Sequence, residues 1–429
     1  MYIGIEQLIV GVRRDLATSC QRRRDQQTSN NTLPTPKYAL SKILIDITRL
    51  LYRRLKGKFP TGIDRVSLEY ISHYAPQARA VLSLGPFSAR LSEHDSAKLF
   101  AALVDRTLPF TKIGLGAIAK AFLWRWIMLA ADVRGSYFFN TGHMGLEDKN
   151  YAWSLRRLGA RPIVVIHDLI PVTHPEYCRP GERERHVTRM KCAITISAGI
   201  IANSQHTLNV LEDFGRRHRM PLPPCLVALL AGGIAEHALD ARPITAPYFV
   251  ILGTIEPRKN HWMLLQIWRR LVETMGKSAP KLVVIGQRGW ECENVVDLLE
   301  RTTQLKQSVI ELPSCSDQQL ATYLHHAQAL LFPSFAEGYG MPVTEALSIG
   351  VPVIASDLAV FREIAGEVPD YIEPLDGKRW QDVIADYTSP QSSARAAQLQ
   401  RINTFKPSTW EQHFQAVDQF LLRLEQGSR

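Results

Sequence analysis

From residue 42 onward, short apolar runs alternate with longer amphipathic stretches. The runs at 42–47, 80–84, 137–139, 162–166 and 200–202 are rich in Ile, Val, Leu and Phe and end at turn residues. Continuous apolar runs of this length fit strands buried on both faces, the state of strands in a parallel sheet. Between them, 62–73, 93–104, 181–196 and 205–217 read as helices. Such alternation predicts a parallel sheet with helices on both sides. Residues 219–247 interrupt it with Pro221, Pro223, Pro224, Gly232, Gly233, Pro243 and Pro247, a density of breakers that predicts a linker. The pattern then restarts at 248–252, 281–285, 309–312, 329–332 and 353–355. The fold class predicted is α/β, with two doubly wound Rossmann-like domains at 41–218 and 248–405 facing across a cleft. Ligands of such sheets bind beyond the carboxyl ends of the strands, so the loops there should carry the chemistry.

The length supports this division, because 429 residues exceed a single compact core. Six scattered cysteines without a Cys-x-x-Cys pair exclude a disulfide scaffold and a cysteine-based zinc site of usual spacing. No apolar stretch is long enough for a membrane-spanning helix. The segment 117–131, with Phe122, Trp124 and Trp126 beside Lys120 and Arg125, fits either a helix lying in a membrane interface or a buried amphipathic helix. The net charge is +10, and residues 1–60 hold 12 Lys and Arg against 4 acidic residues. Residues 1–40 read as a basic, loosely ordered arm, or as residues ahead of the native start. With neither a groove-reading motif nor aromatic–basic alternation, nucleic acid is not an expected partner. An anionic membrane surface suits the localised charge better.

Two loops of the second half carry the strongest chemical signal. In 333–347, a strand runs through Glu337, Gly338, Tyr339 and Gly340 into a helix with Pro342 and Glu345. Glycines there let a ligand approach the main chain, and free amides at a helix start suit an anion. Two carboxylates beside such a site suit sugar or ribose hydroxyls better than phosphate. In 253–260, Gly253 and Glu256 precede the adjacent cations Arg258 and Lys259, which suit a diphosphate. The first half offers Gly62 in the Thr61–Arg65 segment, His167 and Asp168 at the end of a strand, and Asn203 after another. His167 and Asp168 fit a sugar-contacting pair or a turn cap equally well.

Together these stretches resemble the retaining GT-B glycosyltransferases of family 4, strongly over 248–375 and more weakly over 42–217. The resemblance implies sugar transfer from a nucleotide diphosphate, with a GDP-mannose donor and a glycan acceptor carried on a polyprenyl diphosphate. It implies Glu337, His167 and Asp168 as catalytic residues and Gly253, Arg258, Lys259, Gly338, Tyr339, Gly340 and Glu345 as donor-binding residues. Gly62 and Asn203 would serve the acceptor or phosphate side. No cofactor is implied, and no metal, since the chain has no Asp-x-Asp motif. The last segment, 406–429, is expected to be a helix packing back on the first domain. The location implied is cytoplasmic, peripheral on the inner face of the membrane. A nucleotide-sugar epimerase of related fold is the alternative enzyme class.

Overall fold

The structure is a computed structural model that describes residues 43–84, 87–116, 133–232 and 239–427. The expected basic arm at 1–40 lies outside these residues. So does the 117–131 segment.

Two sheets organise the described chain. The first comprises β1 (Ile43–Asp46), β2 (Ala78–Leu84), β3 (Phe87–Arg90), β4 (Tyr137–Asn140), β5 (Arg161–Ile166), β6 (Gly199–Ala202) and β7 (Cys225–Val227), in the order β3-β2-β1-β4-β5-β6-β7. Its neighbours pair parallel except β2 with β3. The second comprises β8 (Tyr248–Leu252), β9 (Lys281–Ile285), β10 (Val309–Leu312), β11 (Leu330–Phe332), β12 (Val353–Ser356) and β13 (Asp370–Ile372), in the order β10-β9-β8-β11-β12-β13. All of its pairs are parallel. The apolar runs are buried as their composition requires, with Ile163, Val164, Val165 and Ile166 fully enclosed in β5. The architecture is thus two Rossmann-like α/β domains.

Several elements differ from the sequence expectation. β3 has mixed Phe-Ser-Ala-Arg composition, and β13 reads Asp-Tyr-Ile. Neither presents an apolar run. β7 moves the edge of the first domain past residue 218, so the segment 219–247 is not linker throughout. Its Cys-Leu-Val is short, half-buried and follows three prolines, which masked it. The helix Thr48–Leu55 was hidden by its three arginines and its brevity.

The strand orders create the site. In the first sheet the chain leaves β1 toward β2 on one side and later returns to β4 on the other. In the second it leaves β8 toward β9 and returns to β11. The connections diverge at these points and leave a crevice beyond the strand ends. The loops following β8 and β11 are the two that carry Arg258, Lys259 and Glu337.

The helix Trp410–Gln426 returns to the first domain. Phe414, Val417, Phe420 and Leu421 are buried, each contributing about 1.5–3 kcal/mol. The Tyr137 hydroxyl donates to the Leu421 carbonyl at 2.9 Å, and the Tyr74 hydroxyl to Asp418 at 2.6 Å. A Cβ on Gly199 would stand 2.8 Å from the Phe420 ring, so the close seat of this helix on β6 needs glycine. His413 sits in the same contact. One ring nitrogen, Nδ1, faces the Leu229 carbonyl at 3.0 Å, so it carries the proton, and Nε2 accepts from the Tyr70 hydroxyl at 3.0 Å.

Burial holds His413 down at about 4, despite support from the carbonyls of Leu229 and Ala228. An unfolded histidine titrates near 6.5. Between those values the unfolded chain binds the additional proton, so this residue's contribution makes stability fall as pH drops through the window, by about 3 kcal/mol. Urea unfolding across that range should show the decline, and His413→Gln should flatten it. An unchanged slope in the variant would remove His413 from the explanation.

Candidate active site

Glu337 is the centre of the crevice. The β11 loop carries its carboxylate against the β8 loop, where Oε1 lies 2.5 Å from Lys259 Nζ and 2.7 Å from an Arg258 guanidinium nitrogen. The two loops are also joined through their backbones. The Phe335 amide donates to the Arg258 carbonyl at 2.9 Å, and Arg258 donates to the Ala336 carbonyl at 2.6 Å. Arg258 further pairs with Glu256 at 2.6 Å. The result is a nearly enclosed cluster of two cations and two carboxylates.

Burial and pairing oppose each other here. Burial pushes the Glu337 carboxyl up, but Arg258 and then Lys259 outweigh it and hold the group at about 2. Glu337 is therefore an acceptor throughout the neutral range and has no proton to donate. Lys259 is held below its ordinary value by burial, against the pull of Glu337. Its ammonium also lies 4.4 Å from the centre of the Phe332 ring. Glu256 is raised by burial, against Arg258 and Lys259.

The loop after Glu337 touches the first domain directly. A Cβ placed on Gly338 would stand 2.2 Å from the His167 carbonyl oxygen and 2.6 Å from Asp168 Cβ. The Gly338 carbonyl accepts from the Ser204 and Thr207 hydroxyls at 3.2 and 3.1 Å. Gly340, at φ +105°, caps the helix Met341–Ser348 in a backbone conformation natural to glycine. Tyr339 turns away from this contact, and its hydroxyl donates to the Leu230 carbonyl at 2.5 Å. Gly253 closes the other loop, where a Cβ would lie 3.4 Å from Lys259 Cε.

At the end of β5 the first domain carries His167 and Asp168, which meet the loop after Glu337 at Gly338. His167 Nε2 lies 2.8 Å from the Thr141 carbonyl. That oxygen accepts only, so Nε2 carries the proton and Nδ1 is left as an acceptor. Burial lowers the His167 pKa, against the Thr141 carbonyl, which favours the neutral ring near pH 7. Asp168 Oδ1 accepts from the Ile170 amide at 3.1 Å, the turn-capping role the sequence left open. Asn203 Nδ2 donates to the His167 carbonyl at 2.9 Å, so Asn203 fixes the β5 loop. Gly62 opens the helix Gly62–Tyr74, and its Cβ position lies 3.7 Å from Met341 Sδ across the cleft.

Glu345 departs most from expectation. It lies in the second turn of its helix, wholly enclosed, and pairs with Arg65 of the first domain at 2.5 Å. Arg65 closes the Thr61–Arg65 segment, but nothing in the sequence links positions so far apart. Sequence reasoning also missed Glu363, whose carboxylate accepts from the Gln205 and His206 amides at 2.5 and 2.9 Å. A carboxylate at the start of a helix is favoured by its free amides and dipole, and this one spans the two domains. Tyr177 and Phe335 add a stacked pair across the cleft, with ring centres 5.2 Å apart.

Residues 237–370 match the family described as glycosyl transferases group 1. This stretch holds both loops of the charge cluster. Residues 237–370 carry a glycosyl transferases group 1 domain. The chain is 30% identical over 261 residues to the serotype-specific mannosyltransferase WbdA of Escherichia coli, an alignment covering 56% of this chain and 30% of WbdA. It is 27% identical over 266 residues to the O-antigen chain mannosyltransferase B of Escherichia coli, covering 58% of this chain and 67% of the relative. The chain thus spans less than a third of the length of WbdA. Among solved structures, Anabaena Alr3699/HepE in complex with UDP and glucose superimposes with a TM-score of 0.63 at 16% identity, covering 89% of this chain and 99% of that one. The fold is GT-B.

Gly338→Ala should separate the two domains, because the clash is with backbone and no side chain can yield. Small-angle scattering should give a larger radius of gyration with unchanged far-UV circular dichroism. A variant with wild-type dimensions would show that this contact does not set the cleft. If the cleft is catalytic, misalignment of this size should lower turnover by about 100-fold.

Proposed function

We propose that this chain is a retaining glycosyltransferase of the family 4 type, moving mannose from GDP-mannose onto a glycan acceptor in the assembly of a bacterial surface polysaccharide. The observation that carries the reading is the buried Glu337 held between Arg258 and Lys259 at a strand switch point, in a loop that meets the His167–Asp168 turn of the first domain at Gly338. The mannosyltransferase relatives support the sugar, and the nucleotide-bound HepE supports a sugar nucleotide as the donor class.

The chemistry follows from the groups present. As the glycosidic bond breaks, negative charge grows on the departing nucleoside diphosphate. Arg258, Lys259 and the amides that open the Met341–Ser348 helix stabilise that charge in a site shielded from water. Glu337, always ionised, accepts from hydroxyls of the donor sugar and orients them. His167 Nδ1 accepts from a further sugar hydroxyl. The ribose hydroxyls take the position at Glu345 that Arg65 holds in this structure. Attack and departure occur on one face, with a donor phosphate oxygen taking the acceptor's proton, and no divalent metal is needed. The acceptor is a glycan on a lipid diphosphate, and the protein works at the inner surface of the membrane.

A thermal-shift screen with GDP, UDP, ADP and dTDP should single out GDP, and equal responses to all four would remove the guanine assignment. Arg258→Ala with Lys259→Ala should cut turnover by about 100- to 1,000-fold, the scale for losing donors to a developing anion. Near-normal turnover in that variant would refute the role of the cluster. Activity should persist in EDTA, and loss restored by manganese would contradict the metal-free scheme.

A further inference from the structure

We infer that a cationic hollow on the first domain binds the phosphate end of a lipid. It deepens the reading above, on which its role in acceptor delivery rests.

The hollow lies between the helix Thr48–Leu55, the turn at 56–60 and the end of the helix Glu93–Val104. It is an open surface hollow, and its lining includes Arg53, Arg54, Lys58 and Arg106. Asp64 is the one carboxylate in the lining, and it is already engaged by Arg49 at 2.9 Å, Arg53 at 2.7 Å and the Thr61 amide at 2.7 Å. Three cations therefore remain beyond the buried Asp64 pairs.

The three arginines are held in place. Arg54 donates to the Arg106 carbonyl at 2.9 Å, and Arg53 to the Phe59 carbonyl at 2.8 Å. The Arg106 guanidinium lies 4.6 Å from the centre of the Phe59 ring, and that of Arg54 lies 5.4 Å from Phe110. Anchored guanidinium groups lose less freedom on gripping an anion, which favours phosphate or diphosphate.

The surroundings narrow the ligand. Leu55, Phe59 and Val104, each next in the chain to a lining residue, supply exposed apolar surface and are 36%, 53% and 48% exposed. A free inorganic anion has no use for such a rim, whereas a phosphate carried by an apolar chain buries it. The position fits delivery as well. Pro60 and Asp64 of the lining flank Gly62, which meets Met341 of the donor half across the cleft. A diphosphate gripped here would leave its glycan at the cleft and its lipid on the apolar rim.

The full chain should be titrated by calorimetry with farnesyl diphosphate, inorganic diphosphate and GDP, alongside Lys58→Gln with Arg106→Gln. Neither side chain holds a structural carboxylate, and circular dichroism checks the fold. Farnesyl diphosphate should bind more tightly than inorganic diphosphate. The double variant should lose about tenfold or more for it, the scale of a lost charge-assisted contact, while GDP affinity is unchanged. Phosphatidylglycerol vesicles that compete for the site would name bulk lipid headgroups as the source of the phosphate. Vesicles that do not compete would name the acceptor's own diphosphate. Equal binding of the two diphosphates, no loss in the variant, or competition between farnesyl diphosphate and GDP would overturn the inference. GDP binding in the first two cases would leave the donor reading standing.

Discussion

The architecture depends on keeping a carboxylate ionised where little water reaches it. Glu337 is enclosed, and an isolated charge there would cost several kcal/mol. Arg258 and Lys259 make it tolerable, and they do so from another loop. The pairing therefore fixes the β8 loop against the β11 loop, with the backbone bond from Phe335 to Arg258 adding to it. Glu256 balances the second cation, so the cluster is near neutral before any ligand arrives. On the proposed function, an incoming diphosphate would compete with carboxylates instead of meeting bare cations, and a Glu337 carboxylate released toward sugar hydroxyls would leave Lys259 for the phosphate.

The same loop also sets the distance between domains. Gly338 has no side chain because the His167 carbonyl occupies its place. Ser204 and Thr207 then hold its carbonyl, Glu363 caps the Gln205–His218 helix from the other domain, and Arg65 reaches Glu345. Most of these contacts across the cleft are polar or close backbone approaches, joined by the Tyr177–Phe335 stack and the approach of Met341 to Gly62. A polar interface of this kind opens at lower cost than an apolar core. It suits a crevice that must admit and release a substrate. The Trp410–Gln426 helix, by contrast, is seated on the first domain through Phe414, Val417, Phe420 and Leu421, so the chain's second crossing is the firm one.

Much of this was legible in the sequence. Buried parallel strands are long apolar runs, and those of β5, β8 and β9 fell where the runs were. The helices at 62–74, 93–104 and 205–218 carried clear patterns. Glu337, Arg258 and Lys259 were visible because charged and glycine residues clustered after strands. What stayed hidden was of two kinds. Edge strands are not enclosed on both sides, so β3 and β13 are short and of mixed polarity, and β7 is short and only half-buried. The partners of Arg65 and Glu363 were hidden because pairing across the cleft leaves no trace in local spacing, and that of Asn203 because the neighbouring loops of β5 and β6 meet only in the fold. Asp168 shows the limit well: the sequence left a sugar contact and a turn cap open, and the structure gives it an amide-capping bond.

The central claim is that Glu337 competes with the donor's diphosphate for Arg258 and Lys259, and that its own work is on the sugar. Glu337→Gln keeps the shape and removes the charge, so calorimetric titration with a nucleoside diphosphate tests it directly. The account predicts that the variant binds at least as tightly as the wild type while transfer from the sugar nucleotide is lost. Loss of nucleoside diphosphate binding in the folded variant, or transfer at the wild-type rate, would contradict it.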